Sequence, residues 1–136
     1  MKNLLLLFIL TLVYATGYTQ DIPAKANTIT ITLPDSNTVN EKLSKILTSK
    51  DYQVKTDKAS SEISTAPKTL KNNTRVTLNA KIKGPEVVLT GRIVIAAQGS
   101  MPIEYKGNKG TPIMIAWEEM DKIAKALGGK VKYEVK

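Results

Sequence analysis

The chain has 136 residues, a formal net charge of +8, and neither cysteine nor histidine. Those two absences exclude disulfides, zinc-thiolate sites, thiol nucleophiles and lipid attachment through cysteine, and they remove the usual general base and the commonest metal ligand. Eighteen lysines against two arginines suit a solvated surface, and a surface of that sign also draws phospholipid head groups, anionic polysaccharide or nucleic acid.

The first residues have the layout of a secretory signal peptide. Lys2 supplies a positive start, residues 4–13 are apolar, and Ala15-Thr16-Gly17 is a small-x-small cleavage site. The apolar run is too short to span a bilayer as a mature helix. Cleavage is expected after Gly17 or, alternatively, before Gln20, so residues 1–19 are assigned to the signal and residues 20–136 to one domain. A domain of that size holds a single core. Without disulfides it must stand on that core, which fits a protein of the bacterial periplasm or exterior. In such a setting the sequon Asn72-Asn73-Thr74 carries no message, whereas in a eukaryote it would predict a surface glycan.

Residues 20–27 have no periodicity. Residues 28–33 alternate strictly, Ile29, Ile31 and Leu33 against Thr28, Thr30 and Thr32, which is the pattern of a β-branched strand, and Pro34-Asp35 ends it. A helix follows from Asn37 or Thr38, with Thr38 and Glu41 at capping-box spacing and Val39, Leu43, Ile46 and Leu47 on one face. It should end by Asp51, because residues 52–56 alternate again. Residues 57–61 read as a turn, and residues 62–71 as a weaker strand whose Pro67 assigns it to a sheet edge or a bulge.

Residues 74–97 carry the clearest pattern. Val76, Leu78, Ala80 and Ile82 alternate with Arg75, Thr77, Asn79, Lys81 and Lys83, and a second alternating run follows Gly84-Pro85. Centring a two-residue II′ turn on Gly84-Pro85 sets Ile82 against Val87, Ala80 against Leu89, Leu78 against Gly91 and Val76 against Ile93. No slip by one residue keeps both apolar sets on one side. Residues 98–110, with four glycines or prolines, are expected to be loop around a short extended piece at Ile103-Glu104-Tyr105. Thr111 as N-cap and Pro112 at the first helical position open a second helix, whose buried stripe is Ile113, Trp117, Met120, Ala124 and Leu127 and whose stop is Gly128-Gly129. A last strand over residues 130–136 alternates Val131, Tyr133 and Val135 with lysines and Glu134.

The expected order is β-α-β-β-β-β-α-β. It gives an α+β domain in which an antiparallel sheet of about five to six strands has two helices packed on one face and the other face wet.

No catalytic, cofactor or metal site is expected. Glu118, Glu119 and Asp121 cluster, yet they fall on the exposed side of the second helix, and Ser44-Lys45 and Ser49-Lys50 fall on the outer face of the first. No spacing matches an oxygen-only cation loop. Gly107-Asn108-Lys109-Gly110, ahead of Thr111, is a candidate anion cradle at a helix N-terminus, with a plain flexible turn as the alternative. The broader candidate is the open sheet face, where Thr28, Thr30, Thr32, Arg75, Thr77, Lys81, Lys83, Thr90, Arg92 and Lys132 would form a basic, hydroxyl-rich surface. Base-stacking aromatics are missing from it, so nucleic acid is not an expected partner. The candidate binding residues are therefore Arg75, Lys81, Lys83, Arg92 and Lys109.

A secretion signal, a Thr-Ile-Thr-Ile strand, an amphipathic helix leading into Tyr-Gln-Val-Lys, a hairpin and an Ala-Trp-Glu-Glu-Met-Asp-Lys-Ile-Ala helix together resemble small exported proteins of unknown function from Gram-negative bacteria. The order of elements is similar to the helix-grip domains of outer-membrane assembly lipoproteins of the BamC type, without their lipid-bearing cysteine. The resemblance implies a non-enzymatic binding domain of the periplasm or exterior, neither lipid-anchored nor membrane-spanning once the signal is removed, with another envelope protein as partner. The alternative is an anionic ligand, lipid head group or polysaccharide, on the basic sheet face.

Overall fold

In the computed structural model of the chain, residues 21–56 and 61–136 are described. Residues 1–19, expected to be a signal peptide, and most of the turn expected over residues 57–61 lie outside them. The chain runs β1 (Thr28–Thr32), α1 (Val39–Ser49), β2 (Val54–Thr56), β3 (Glu62–Thr65), β4 (Lys68–Thr69), β5 (Arg75–Lys83), β6 (Glu86–Ile95), β7 (Gly99–Pro102), α2 (Pro112–Ala126) and β8 (Lys130–Glu134). It is an α+β fold in the expected order, with an antiparallel sheet and two helices. Six strands cross the sheet as β2-β3-β5-β6-β1-β8, while β4 pairs with β5 and β7 with β6.

The β5–β6 hairpin has the predicted register: Ile82 faces Val87, Ala80 faces Leu89, Leu78 faces Gly91 and Val76 faces Ile93. Gly84 takes a φ of +57°, the positive value that the first position of the two-residue turn requires. Val76, Leu78, Ala80, Val87, Leu89 and Ile93 are all buried. On the same side β1 adds Ile29 and Ile31, and the helices add Leu43, Leu47, Trp117, Met120 and Ile123, so a single core fills the space between sheet and helical layer. Trp117 sits among aromatic neighbours, with Tyr105 5.8 Å away edge to face and Tyr133 6.0 Å away on the other side.

The segment around Pro67 resolves into two strands and a bulge. Between the pairs Ser64–Asn79 and Lys68–Val76 the chain takes four steps on one side and three on the other, so β3 and β4 form one line with an extra residue at Ala66-Pro67. At the bulge the Leu78 N–H donates to the Thr65 hydroxyl at 3.0 Å, a buried contact. A side chain thereby supplies an acceptor beside the interrupted ladder. β2 pairs with β3 and forms the edge beside it, while β4, after the proline, pairs with β5 alone and is an edge in its own right.

Residues 98–110 hold more order than their glycines and prolines suggest. After a turn at residues 96–98, Gly99–Pro102 pairs back onto β6 as β7, and Ile103, fully buried, continues it. Ile103 fits because its neighbour on β6 is Gly91. A Cβ added at Gly91 would lie 2.6 Å from Ile103 Cδ1, closer than packed carbons approach. The glycine in the apolar row therefore makes room for the side chain of a non-adjacent segment.

Both helices begin where the sequence places their starts, but neither Thr38 nor Thr111 makes a side-chain cap hydrogen bond. Thr111 instead donates its hydroxyl to the Asn108 carbonyl at 3.0 Å, closing the preceding turn. The C-terminal end of α2 is capped by a cation from the other helix: Lys42 Nζ donates to the Leu127 carbonyl at 2.7 Å. No helix among the described residues is long and apolar enough to cross a membrane.

Candidate functional site

Once one side of the hairpin is buried, the two-residue period commits the other. The outward row of β5 is Thr77, Asn79, Lys81 and Lys83, and that of β6 is Glu86, Val88, Thr90 and Arg92. In register these form cross-strand pairs Thr77–Arg92, Asn79–Thr90, Lys81–Val88 and Lys83–Glu86. On this side the structure has a concavity of about 750 Å³. Its floor is β5 and β6. Ser64 of β3 bounds one flank, Asn27, Thr28 and Lys136 the other, and Pro102 closes one end.

The Asn27–Lys136 flank is held by a reciprocal pair. The Asn27 side-chain amide donates to the Lys136 main-chain oxygen at 2.7 Å, and the Asn27 side-chain oxygen accepts the Lys136 N–H at 3.0 Å. At the Pro102 end, Arg92 donates from Nε to Ser100 Oγ at 3.0 Å and from its terminal nitrogen to the Ser100 carbonyl at 3.3 Å. β7 thus fixes the guanidinium while leaving part of its donor fork unused.

Charge on this face is unevenly spent. Lys132 and Lys136 both contact Glu134, at 3.1 Å each, and Lys136 first and then Lys132 hold the Glu134 carboxyl below the ordinary carboxylate range. Lys81, Lys83, Arg75 and Arg92 form no ion pair within 4 Å among the described residues. The carboxylates in register with the two lysines are Glu62, opposite Lys81, and Glu86, opposite Lys83. Glu62 accepts a hydrogen bond from the Asn79 amide instead.

The structure therefore brings Lys81, Lys83 and Arg92 into one concavity. Arg75 is on the same side of the hairpin but lines a separate depression of about 330 Å³ with Thr69, Asn73, Val94 and Ala96. Lys109 is exposed in the loop that leads into α2 and does not border the concavity. Asn27, Ser64, Asn79, Ser100 and Lys136 join the site without having been singled out. Asn79 and Lys136 had a signal in their own strands, a place in the outward row.

Two expectations about exposure are corrected. Thr28 and Thr30, on the side read as wet, are 2% and 4% exposed; in register Thr30 lies between Val88 of β6 and Lys132 of β8, and Thr28 lies beside Glu134. The Thr28 hydroxyl donates to Asn27 at 3.0 Å, while the Thr30 hydroxyl finds no partner among the described residues. Glu119 and Asp121 are not free surface carboxylates. Lys68 reaches Glu119 at 3.2 Å, donates to the Lys50 carbonyl at 2.6 Å and lies 4.5 Å from the centre of the Tyr52 ring, tying β4 to both helices. Asp121 accepts from the Tyr133 hydroxyl at 2.6 Å and pairs with Lys125 at 2.7 Å. Burial, with the adjacent carboxylate second, pushes both phenols, Tyr52 and Tyr133, well above their ordinary range. Those carboxylates are structural anchors between helix and sheet.

Fold and site together define an α+β domain with one sheet face sealed by helices and the other open, concave and basic. No protein-family model and no curated protein matches the sequence.

Proposed function

We propose that the chain is an exported, non-enzymatic binding module, periplasmic or secreted and without a lipid anchor, that holds an anionic ligand in the concave face of its sheet. The observation that carries this reading is the convergence of Lys81, Lys83 and Arg92 on one concavity with no carboxylate within ion-pair distance among the described residues. Cations gathered without internal partners attract an external one. Export rests on the signal-like pattern of residues 1–19. The non-enzymatic part is supported by the lack of histidine and cysteine and by the structural engagement of Glu119 and Asp121. The likeness in element order to helix-grip domains favours a binding role.

An envelope protein as partner is the second reading, favoured by that likeness. It has less support from the surface, since the large exposed apolar residues are Val94 and Val135 alone among those described, too few for the apolar centre of a protein interface.

The test is retention on immobilised heparin or polyglutamate as a function of salt, for the wild type and for the charge reversal Lys81→Glu, Lys83→Glu, Arg92→Glu. The wild type should be retained at low salt and released at moderate salt, and the reversal should abolish retention with an unchanged circular dichroism spectrum. Equal retention of both proteins rules out the sheet face.

A further inference from the structure

Resting on that reading, we infer that the ligand is an extended acidic polysaccharide lying along the β5–β6 hairpin, and not a compact anion or a membrane surface.

The three cations form two separate poles. Arg92 stands at one end of the concavity, and Lys81 and Lys83 at the other. From the Arg92 row to the Lys81 row is four residues of strand, about 13 Å at the usual rise, and to the Lys83 row six residues, about 20 Å. A single phosphate or carboxylate reaches one of these poles and leaves the other unanswered. A ligand that neutralises both must be long and must carry its charges apart.

What lies between the poles is neutral and hydrogen-bonding. Thr90 and Asn79 lie in the middle of the floor and Ser64 on its flank. The Thr90 and Ser64 hydroxyls can donate and accept, and the Asn79 amide, whose nitrogen is given to Glu62, offers its oxygen as an acceptor, so this stretch matches a ligand that itself presents hydroxyl groups. Sugar rings between charged substituents do so. A polypeptide gains less, because β5 and β6 are paired on both sides, to β3 or β4 and to β1 or β7, and offer no free ladder for strand addition.

Shape and apolar content argue against a bilayer. A concave floor does not meet a flat surface, and membrane-surface binders insert large apolar side chains. Val94 and Val135 are the exposed large apolar residues among those described, and neither borders the concavity. Tyr52 and Tyr133 are turned into the core, which removes the stacking platform a nucleic-acid strand would use.

The experiment is isothermal titration of the purified chain with oligogalacturonates of increasing length, with neutral malto-oligosaccharides, polyglutamate and phosphatidylglycerol vesicles in parallel. Affinity should rise about tenfold or more once the oligomer is long enough to engage both poles, and then level off. Arg92→Gln alone, or Lys81→Gln with Lys83→Gln, should bring the long oligomer back to the affinity of the short one. Lys81 and Lys83 are exposed and without an ion pair among the described residues, so their variants should keep the wild-type melting temperature. Arg92→Gln loses two exposed hydrogen bonds to Ser100 and should lower it only slightly. A single cooperative transition reports that each variant folds. Affinity independent of oligomer length, or a length effect that survives loss of either pole, overturns the two-pole inference. Tighter binding of polyglutamate or vesicles through the same three cations overturns the polysaccharide but leaves the anion-binding reading standing. If no anionic probe responds to these substitutions, both fail together.

Discussion

The two faces of the β5–β6 hairpin share one backbone and one register, and they differ in what each can tolerate. On the helix side Leu78, Leu89 and Ile93 are at most 1% exposed, and Gly91 is packed so closely that a methyl group has no space. On the other side, residues one position along, Asn79, Lys81, Thr90 and Arg92, are half-buried or exposed and border a concavity. The first face is constrained by volume and the second by charge and hydrogen-bonding type. The domain thus confines the cost of folding to one side and leaves the other free for recognition.

The largest effects should come from the packed side. Leu89→Ala removes a fully buried side chain wedged between Ile29 and Ala80, and chemical denaturation should register a loss of about 2–5 kcal/mol. Gly91→Ala tests whether close approach matters as much as volume. Its methyl must displace Ile103, which is itself fully buried, so a loss of about 1–3 kcal/mol is expected. A double variant with Ile103→Val should recover part of it, whereas no recovery would mean that the clash with Leu78 or the Thr77 carbonyl dominates.

Next comes the helix–sheet anchor. Tyr133→Phe deletes a hydroxyl bonded to a carboxylate and should cost about 1.5 kcal/mol near neutral pH. The deficit should shrink with alkali. The folded phenol titrates above its unfolded value, so its contribution is full below the unfolded pKa of about 10 and is lost as pH rises toward the folded one. Denaturation of both proteins at neutral pH and above pH 10 measures this directly, and a deficit that grows with pH contradicts it.

A smaller effect of opposite sign is expected at Thr30. Its buried hydroxyl has no partner, so Thr30→Val, which keeps the shape, should stabilise the fold by about 1 kcal/mol. The smallest belongs to the open face. Lys81→Gln and Lys83→Gln should change stability by less than about 0.5 kcal/mol, within the range for surface substitutions, while weakening retention on anionic polymers. A large loss of stability there would erase the contrast between the faces.

The hairpin was legible down to its register because period, turn chemistry and apolar content all bear on the same twenty residues. The second helix was legible for the same reason, with Thr111, Pro112 and the Gly128 stop marking its ends. Strand β7 was hidden because glycine and proline in its sequence signal loop, and its order comes from pairing with β6 and from the space above Gly91. Glu119 and Asp121 looked like solvated charges on the outer side of an amphipathic helix. Their partners, Lys68, Tyr52 and Tyr133, come from other elements.

The candidate site divides in the same way. Lys81, Lys83 and Arg92 could be grouped because the hairpin register puts all three in its outward rows. Arg75 shares that parity, yet it lines a different depression, and Lys109 belongs to a loop that parity says nothing about.

By itself the sequence determined the two-sided character of the β5–β6 hairpin, since alternation is a local property and burial of one side commits the other. Only the tertiary structure decided which strands are neighbours. It set β1 between β6 and β8, carried β2 to the far edge, and brought Asn27, Ser64 and Lys136 to the rim of the open face. Long-range pairing depends on how helices and strands fill a shared core, and no local period records that.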